Sequence, residues 1–268
     1  MATFLSDLVQ QLDGRWKEVE LLIDKAAEVE DTEPHLYTAL SRSVCVLVVA
    51  HLEGFTKDLV KAVIRDINAN RSFEKLSKQI KRTYAKRYIP NQDISSNFNH
   101  NFYLTEIIRK LDDTKCSISH DSFLKGDNKN PKPDVIKTIF MNFGITDVFA
   151  HIKESDFDDI FSGISLLEIT EATQLATEIA LIDLEEFPYK SKQELLKLKK
   201  STKQKNESTL CQTFIDEINQ KRHEVAHGNV FNNSESVKSL RERKASVKYL
   251  QIVLVYLIST ASLLEIEA

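Results

Sequence analysis

The sequence predicts an all-α protein, a helical bundle carrying a largely helical insertion, and three observations lead there. The 268 residues contain only 6 Gly and 5 Pro, too few for a sheet-rich fold that must turn every few positions. Hydrophobic content is 42% and charged content 28%, the balance of a globular chain able to bury a sizeable core. Long stretches at both ends space their apolar residues with the 3.6 period of a helix rather than the period of 2 of a strand.

Each element follows from this spacing. Phe4 to Val29 carries apolar residues at 4, 5, 8, 9, 12, 16, 19, 22, 23, 26 and 29, one stripe on a single helix. Glu33-Pro34 breaks the pattern, and a second helix is expected from about His35 to Asn68. Its middle, Val44 to Ala50, is apolar all round and marks the central core helix. The β-branched residues there would also suit a strand, but the flanks keep the helical period and contain no turn residues. Arg71 to Tyr88 is basic. Ile89 to Pro133 is polar and reads as loops around one short helix near Leu104 to Leu111. Pro133 suits the first position of a helix running to about Asn142 and ended by Gly144.

An acidic stretch, Glu154 to Asp159, precedes a helix from about Ser165 to Glu186. Lys190 to Lys205 holds seven lysines and reads as a solvated helix end or a loop. Glu207 to Ala226 is helical again and stopped by Gly228. Asn229 to Ser234 is a loop, and Ser236 to Glu267 the last helix. The terminal helices are the most apolar. The bundle core is therefore assigned to 1–70 and 207–268 of a single domain spanning 1–268, with 71–206 as the insertion.

The net charge of −4 and a pI near 6.0 exclude a protein that coats nucleic acid non-specifically, though not an enzyme meeting RNA at one site. Cys45, Cys116 and Cys211 are odd in number and show no CxxC spacing. They form neither a disulfide framework nor a cysteine-rich zinc site, and they suit a reducing cytoplasm. The start, Met1 to Asp7, lacks the basic and apolar regions of a signal peptide. The apolar runs Val44–Ala50 and Ile252–Leu264 fall short of the roughly 20 residues of a spanning helix. The expectation is a cytoplasmic protein with no membrane element.

Two patterns overlap in Arg222-His223-Glu224-Val225-Ala226-His227. One is His-Glu-x-x-His, in which His223 and His227 sit one helical turn apart to hold zinc and Glu224 is the base. No third ligand stands at a familiar spacing, Gly228 ends the helix, and no strand is available to position a substrate. No metal or cofactor is therefore expected. The other pattern is Arg-x4-His. A guanidinium can bind a phosphate oxygen as negative charge builds, and an imidazole can move a proton near neutrality. His227 at a helix C-terminus meets the negative end of the dipole, which favours imidazolium and general-acid chemistry. Five residues along a straight helix turn by about 140°. Arg222 and His227 therefore converge only if the helix opens before Gly228 or a second chain completes the site.

The segment Phe214 to Gly228 resembles the catalytic signature of HEPN-superfamily ribonucleases: Arg, a polar residue (here His223), three variable residues and His. Ala50-His51-Leu52-Glu53-Gly54-Phe55-Thr56-Lys57 resembles the "AHxEGF" helix of the RiboL-PSP-HEPN and MAE-type branch. Asn130-Pro131-Lys132-Pro133-Asp134, leading to Gly144-Ile145, is similar to a connecting segment there. The region 150–206 resembles nothing named. The resemblance implies an all-α HEPN fold and metal-independent RNA cleavage by 2′-hydroxyl attack, with Arg222, His227 and His223 as catalytic residues. It also implies a homodimer with a composite site and a role as a toxin or antiviral effector, with an antitoxin or defence-system partner. Two other readings stay open: a catalytically silent HEPN module that binds RNA or protein, and the zinc peptidase. Glu53 either orients Arg222 or His223 or is a structurally paired charge. His51 reads as a core or interface residue, and the last helix as core and dimer interface. Arg82, Lys86 and Arg87 are candidate phosphate contacts, with Tyr84 or Tyr88 stacking on bases; the bland reading of that stretch is a solvated face.

Overall fold

A computed structural model describes residues 2–89, 99–114, 116–124, 130–153, 155–190, 208–228 and 235–260. These form ten α-helices and a few short 3-10 turns, with no strand among the described residues. The all-α expectation holds. The predicted first helix divides at Gln11 into α1 (Phe4–Gln10) and α2 (Leu12–Val29). Gln11 keeps helical torsions (φ −81°, ψ −7°), so the apolar stripe runs on from Leu5, Leu8 and Leu12 to Trp16, Val19 and Ile23, all buried.

The predicted core helix is α3 (Pro34–Asn70). Val44, Val48, Val49, Leu52, Phe55 and Leu59 are buried along it. Burial stabilises each such side chain by about 1.5–3 kcal/mol, against a helix-propensity cost of at most about 0.7 kcal/mol for a Val. Packing therefore decides that the valine run is a helix. By length and composition alone α3 is also apolar enough to cross a membrane. Here it packs against α1, α2, α9 (Leu210–Ala226) and α10 (Val237–Thr260).

Every residue of α10 from Tyr249 to Ser259 is buried. A helix apolar all round needs cover on all sides, and α2, α3 and α8 (Leu166–Asp183) provide it. Within the segment 71–206, α8 packs on both α10 and α1. Ser165 and Glu168 form the capping box that starts α8.

The rest of 71–206 builds a smaller layer of α4 (Lys78–Ala85), α5 (His100–Asp112), α6 (Pro133–Asn142) and α7 (Val148–Lys153). In it α4 packs on α5 and α6, while α6 and α7 pack on α9. Pro133 opens α6, and Gly144 follows with φ +98°, as the sequence predicts. Asp66 of α3 accepts the backbone N–H groups of Phe4 (2.9 Å) and Leu5 (3.0 Å) and the Tyr189 hydroxyl (2.8 Å). It thereby ties the chain start and the segment after α8 to the central helix. Lysines 192–205, the loop 229–234 and the end of the last helix past Thr260 lie outside the described residues.

Candidate active site

The site is carried by α9, which is fixed at both ends. At its start Thr209 and Gln212 exchange hydrogen bonds of 3.0 Å, a capping box. The Asp158 carboxylate accepts the Leu210 and Cys211 N–H groups at 3.2 and 2.9 Å, a favourable charge at a helix N-terminus. Cys211, Ile215, Ile218 and Val225 turn one face inward. At its end the His227 N–H donates to the His223 carbonyl at 3.0 Å. Gly228 then leaves the helix with φ +70°, the left-handed conformation that a helix stop requires. Arg42 of α3 donates to the Val225 carbonyl at 3.2 Å, satisfying one of the open acceptors of the last turn.

Arg222 points back to the bundle. Its guanidinium donates to the Asn130 side-chain oxygen and lies 3.7 Å from a Glu53 carboxylate oxygen on α3. The other Glu53 oxygen takes Lys57 at 3.1 Å. Both Arg222 and Glu53 keep about a quarter of their side-chain surface exposed, so the guanidinium is held yet reachable. His223 and His227 are exposed, and their rings lie 4.2 Å apart at 54°. Glu224 accepts from Gln220 one turn back at 3.0 Å. The helix does not open before Gly228. The structure thus brings together Arg222, Glu53 and Asn130 on one side, and His223 with His227 on the other.

Sequence reasoning missed three supports of this end of the helix. Asn130 meets Arg222. Asn219, buried, donates to the Pro131 carbonyl at 3.2 Å and so docks the Asn130-Pro131 segment on α9. Glu235, which follows the loop after Gly228, takes Lys221 (3.7 Å) and Arg243 (2.9 Å). The quoted Asn130-Pro131 stretch was the available signal for the first two, although nothing in it specified which residue faces Arg222.

No group of three His, Cys, Asp or Glu side chains converges among the described residues. The His223–His227 pair thus lacks there the third protein ligand that zinc enzymes use. His51 stacks on Trp16 (4.8 Å, 28°), and burial lowers its pKa, in keeping with a core position. On α4, Tyr84 corrects an expectation. It is 5% exposed and packed against Phe73 and Tyr88, so it offers no ring face to a base. Ile80, Thr83 and Tyr84 form the inward stripe of α4. Tyr88 is 49% exposed and carries the open aromatic surface there. Lys86 and Arg87 are exposed, Arg87 lying over the Tyr84 and Tyr88 rings, and Arg82 reaches Asn101 at 3.4 Å.

The all-α bundle, with Arg222 near the end of a core-packed helix and beside a carboxylate of the central helix, fits a HEPN-type protein. The profile of the RiboL-PSP-HEPN family matches residues 10–264, and the chain belongs to that family. No curated protein and no solved structure matches it.

Proposed function

We propose that this HEPN protein is a metal-independent endoribonuclease of the cytoplasm, acting as a toxin or antiviral effector under the control of an antitoxin or defence-system partner. The observation that carries the chemistry is the end of α9. There the helix carries a guanidinium anchored by Glu53 and Asn130 on one side and two exposed, adjacent imidazoles on the other. Arg222 neutralises the non-bridging oxygens as the 2′-oxygen bonds to phosphorus. His223 as general base takes the 2′-hydroxyl proton. His227 as general acid gives a proton to the departing 5′-oxygen as its bond to phosphorus breaks. The products are a cyclic phosphate and a 5′-hydroxyl.

Arg222 and His227 lie in different groups within one chain. A second copy, facing the first across this helix end, supplies the complementary half, so the working form is a homodimer with a composite site. The test is RNA cleavage by the purified protein in EDTA. Arg222→Ala and His227→Ala should abolish cleavage and Glu224→Gln should preserve it. Restoration by zinc, or loss in Glu224→Gln, contradicts the assignment. The Arg222–Glu53 pairing also suits a second reading, a non-catalytic HEPN module that binds RNA or protein. Harmless expression in bacteria, with wild type and Arg222→Ala behaving alike, favours it.

A further inference from the structure

The charge of this chain is segregated. The whole carries −4, yet 71–88 holds seven cations (Arg71, Lys75, Lys78, Lys81, Arg82, Lys86, Arg87) against one acid, Glu74. Among the described residues the one α4 cation with a carboxylate partner is Lys81, which meets Asp112 of α5 at 2.8 Å. Among the described residues no carboxylate pairs with Lys78, Arg82 or Lys86. Unpaired cations collected on one face of an acidic protein create a local field for an anion.

That field lies over a cleft. Between α4 and α5 is a space of about 250 Å³ with Leu76, Leu104 and Ile108 as its apolar part and Lys78, Lys81, Arg82 and Thr105 as its polar part. Its volume, that of roughly eight waters, leaves room for a pyrimidine base. Leu104 and Leu76 form its nearly covered floor, and Ile108 is half-buried. Lys78 is exposed, and Arg82 has only a 3.4 Å hydrogen bond to Asn101. Phe102, the next residue along α5, is 59% exposed, an uncommon placement for Phe and a face on which a neighbouring base can stack. A partly apolar cleft with cations at its edge matches a nucleotide better than an acidic peptide, whose carboxylates need no apolar surface.

We propose that the α4–α5 cleft is an accessory site for one unpaired nucleotide of a single-stranded RNA, its base in the cleft beside Ile108 and Thr105 and its phosphates on Lys78 and Arg82. A base-paired nucleotide cannot enter, so the site selects single strands. The inference rests on RNA being the ligand of this protein, but not on cleavage at Arg222 and His227.

The test uses full-length His227→Ala protein and a short fluorescein-labelled oligouridine, read by anisotropy over a salt series. Lys78→Ala with Arg82→Ala should weaken binding about tenfold. It should also flatten the log–log salt slope by about 1.4, the value for two single-strand phosphate contacts. Thr105→Trp, which fills the cleft from an exposed position, should weaken oligouridine severalfold while leaving the slope and the affinity for inorganic polyphosphate unchanged. Circular dichroism checks that each variant is folded. Unchanged oligouridine affinity in the double variant overturns the proposal. So does a Thr105→Trp effect equal on oligouridine and polyphosphate, which marks a surface reading charge alone. Wild-type protein that binds through this cleft but does not cut refutes the nuclease assignment and leaves the cleft assignment standing.

Discussion

Arg222→Ala should leave the protein folded, so that any loss of activity is chemical. The guanidinium lies 3.7 Å from Glu53. The raw attraction at that separation is about 4 kcal/mol at an effective dielectric near 20. Partial exposure, desolvation and the entropy of two long side chains cancel most of it, leaving about 0–1 kcal/mol. Removing Arg222 does not strand its partner, because Lys57 stays 3.1 Å from the other Glu53 oxygen. Asn130 is half-buried, and water can reach its freed oxygen. The expected cost is therefore under about 1 kcal/mol. For 268 residues that is a fall in melting temperature of about 2 °C, measured by thermal and urea denaturation followed by circular dichroism. A loss above about 3 kcal/mol refutes the reasoning: Arg222 is then a structural strut, and inactivity of the variant says nothing about catalysis.

Three other perturbations test the supports of the site and the bundle. Asp66→Ala strips two buried donors and one half-buried donor of their acceptor and should cost about 3 kcal/mol or more in urea denaturation; a loss under about 1 kcal/mol contradicts it. Burial raises the Asp66 pKa above the usual carboxylate value, outweighing its hydrogen bonds. The folded state thus holds that proton more tightly than the unfolded state, and this share of stability grows as pH falls toward the raised pKa and fades as pH climbs above it. The stability of wild type relative to Asp66→Asn should accordingly improve as pH falls from neutrality toward the ordinary carboxylate range; a change of opposite sign refutes the linkage. Glu235→Ala leaves Lys221 and Arg243, 13% and 20% exposed, without their shared carboxylate. It should cost about 3 kcal/mol, near 5 °C in a melt, and no shift would show the network to be inert. Gly228→Ala meets open space but keeps φ +70°. It should cost only about 1–2 kcal/mol of backbone strain, and a larger loss of stability would point to a clash that the geometry does not contain.

Local patterns were legible in the sequence, and distant pairings were not. The stripe on α2, the valine run of α3, Pro133 at the start of α6 and Gly228 after α9 are each written within one turn of chain. The apolar residues of α8 lie on more than one face: Leu167, Leu175 and Ile182 are exposed while Ile169 and Ala180 are buried. No single stripe showed which side would meet α10. α7, six residues long, is too short for a period to emerge. At the site, Arg222 and His227 could be picked out because they share one helix with a glycine stop. The Asn130 contact to Arg222 spans 92 residues and the Arg42 bond to Val225 spans 183, and no spacing rule encodes either. Tyr84 was misplaced because basic neighbours mask a buried face whose other members, Ile80 and Thr83, are few.

The most direct test is to incubate a defined RNA with the purified protein in EDTA and determine the chemistry of the new ends. The proposed chemistry predicts cyclic phosphates and 5′-hydroxyls with wild type and none with folded Arg222→Ala or His227→Ala. Intact RNA with wild type, 5′-phosphate ends, or equal cleavage by His227→Ala would contradict it.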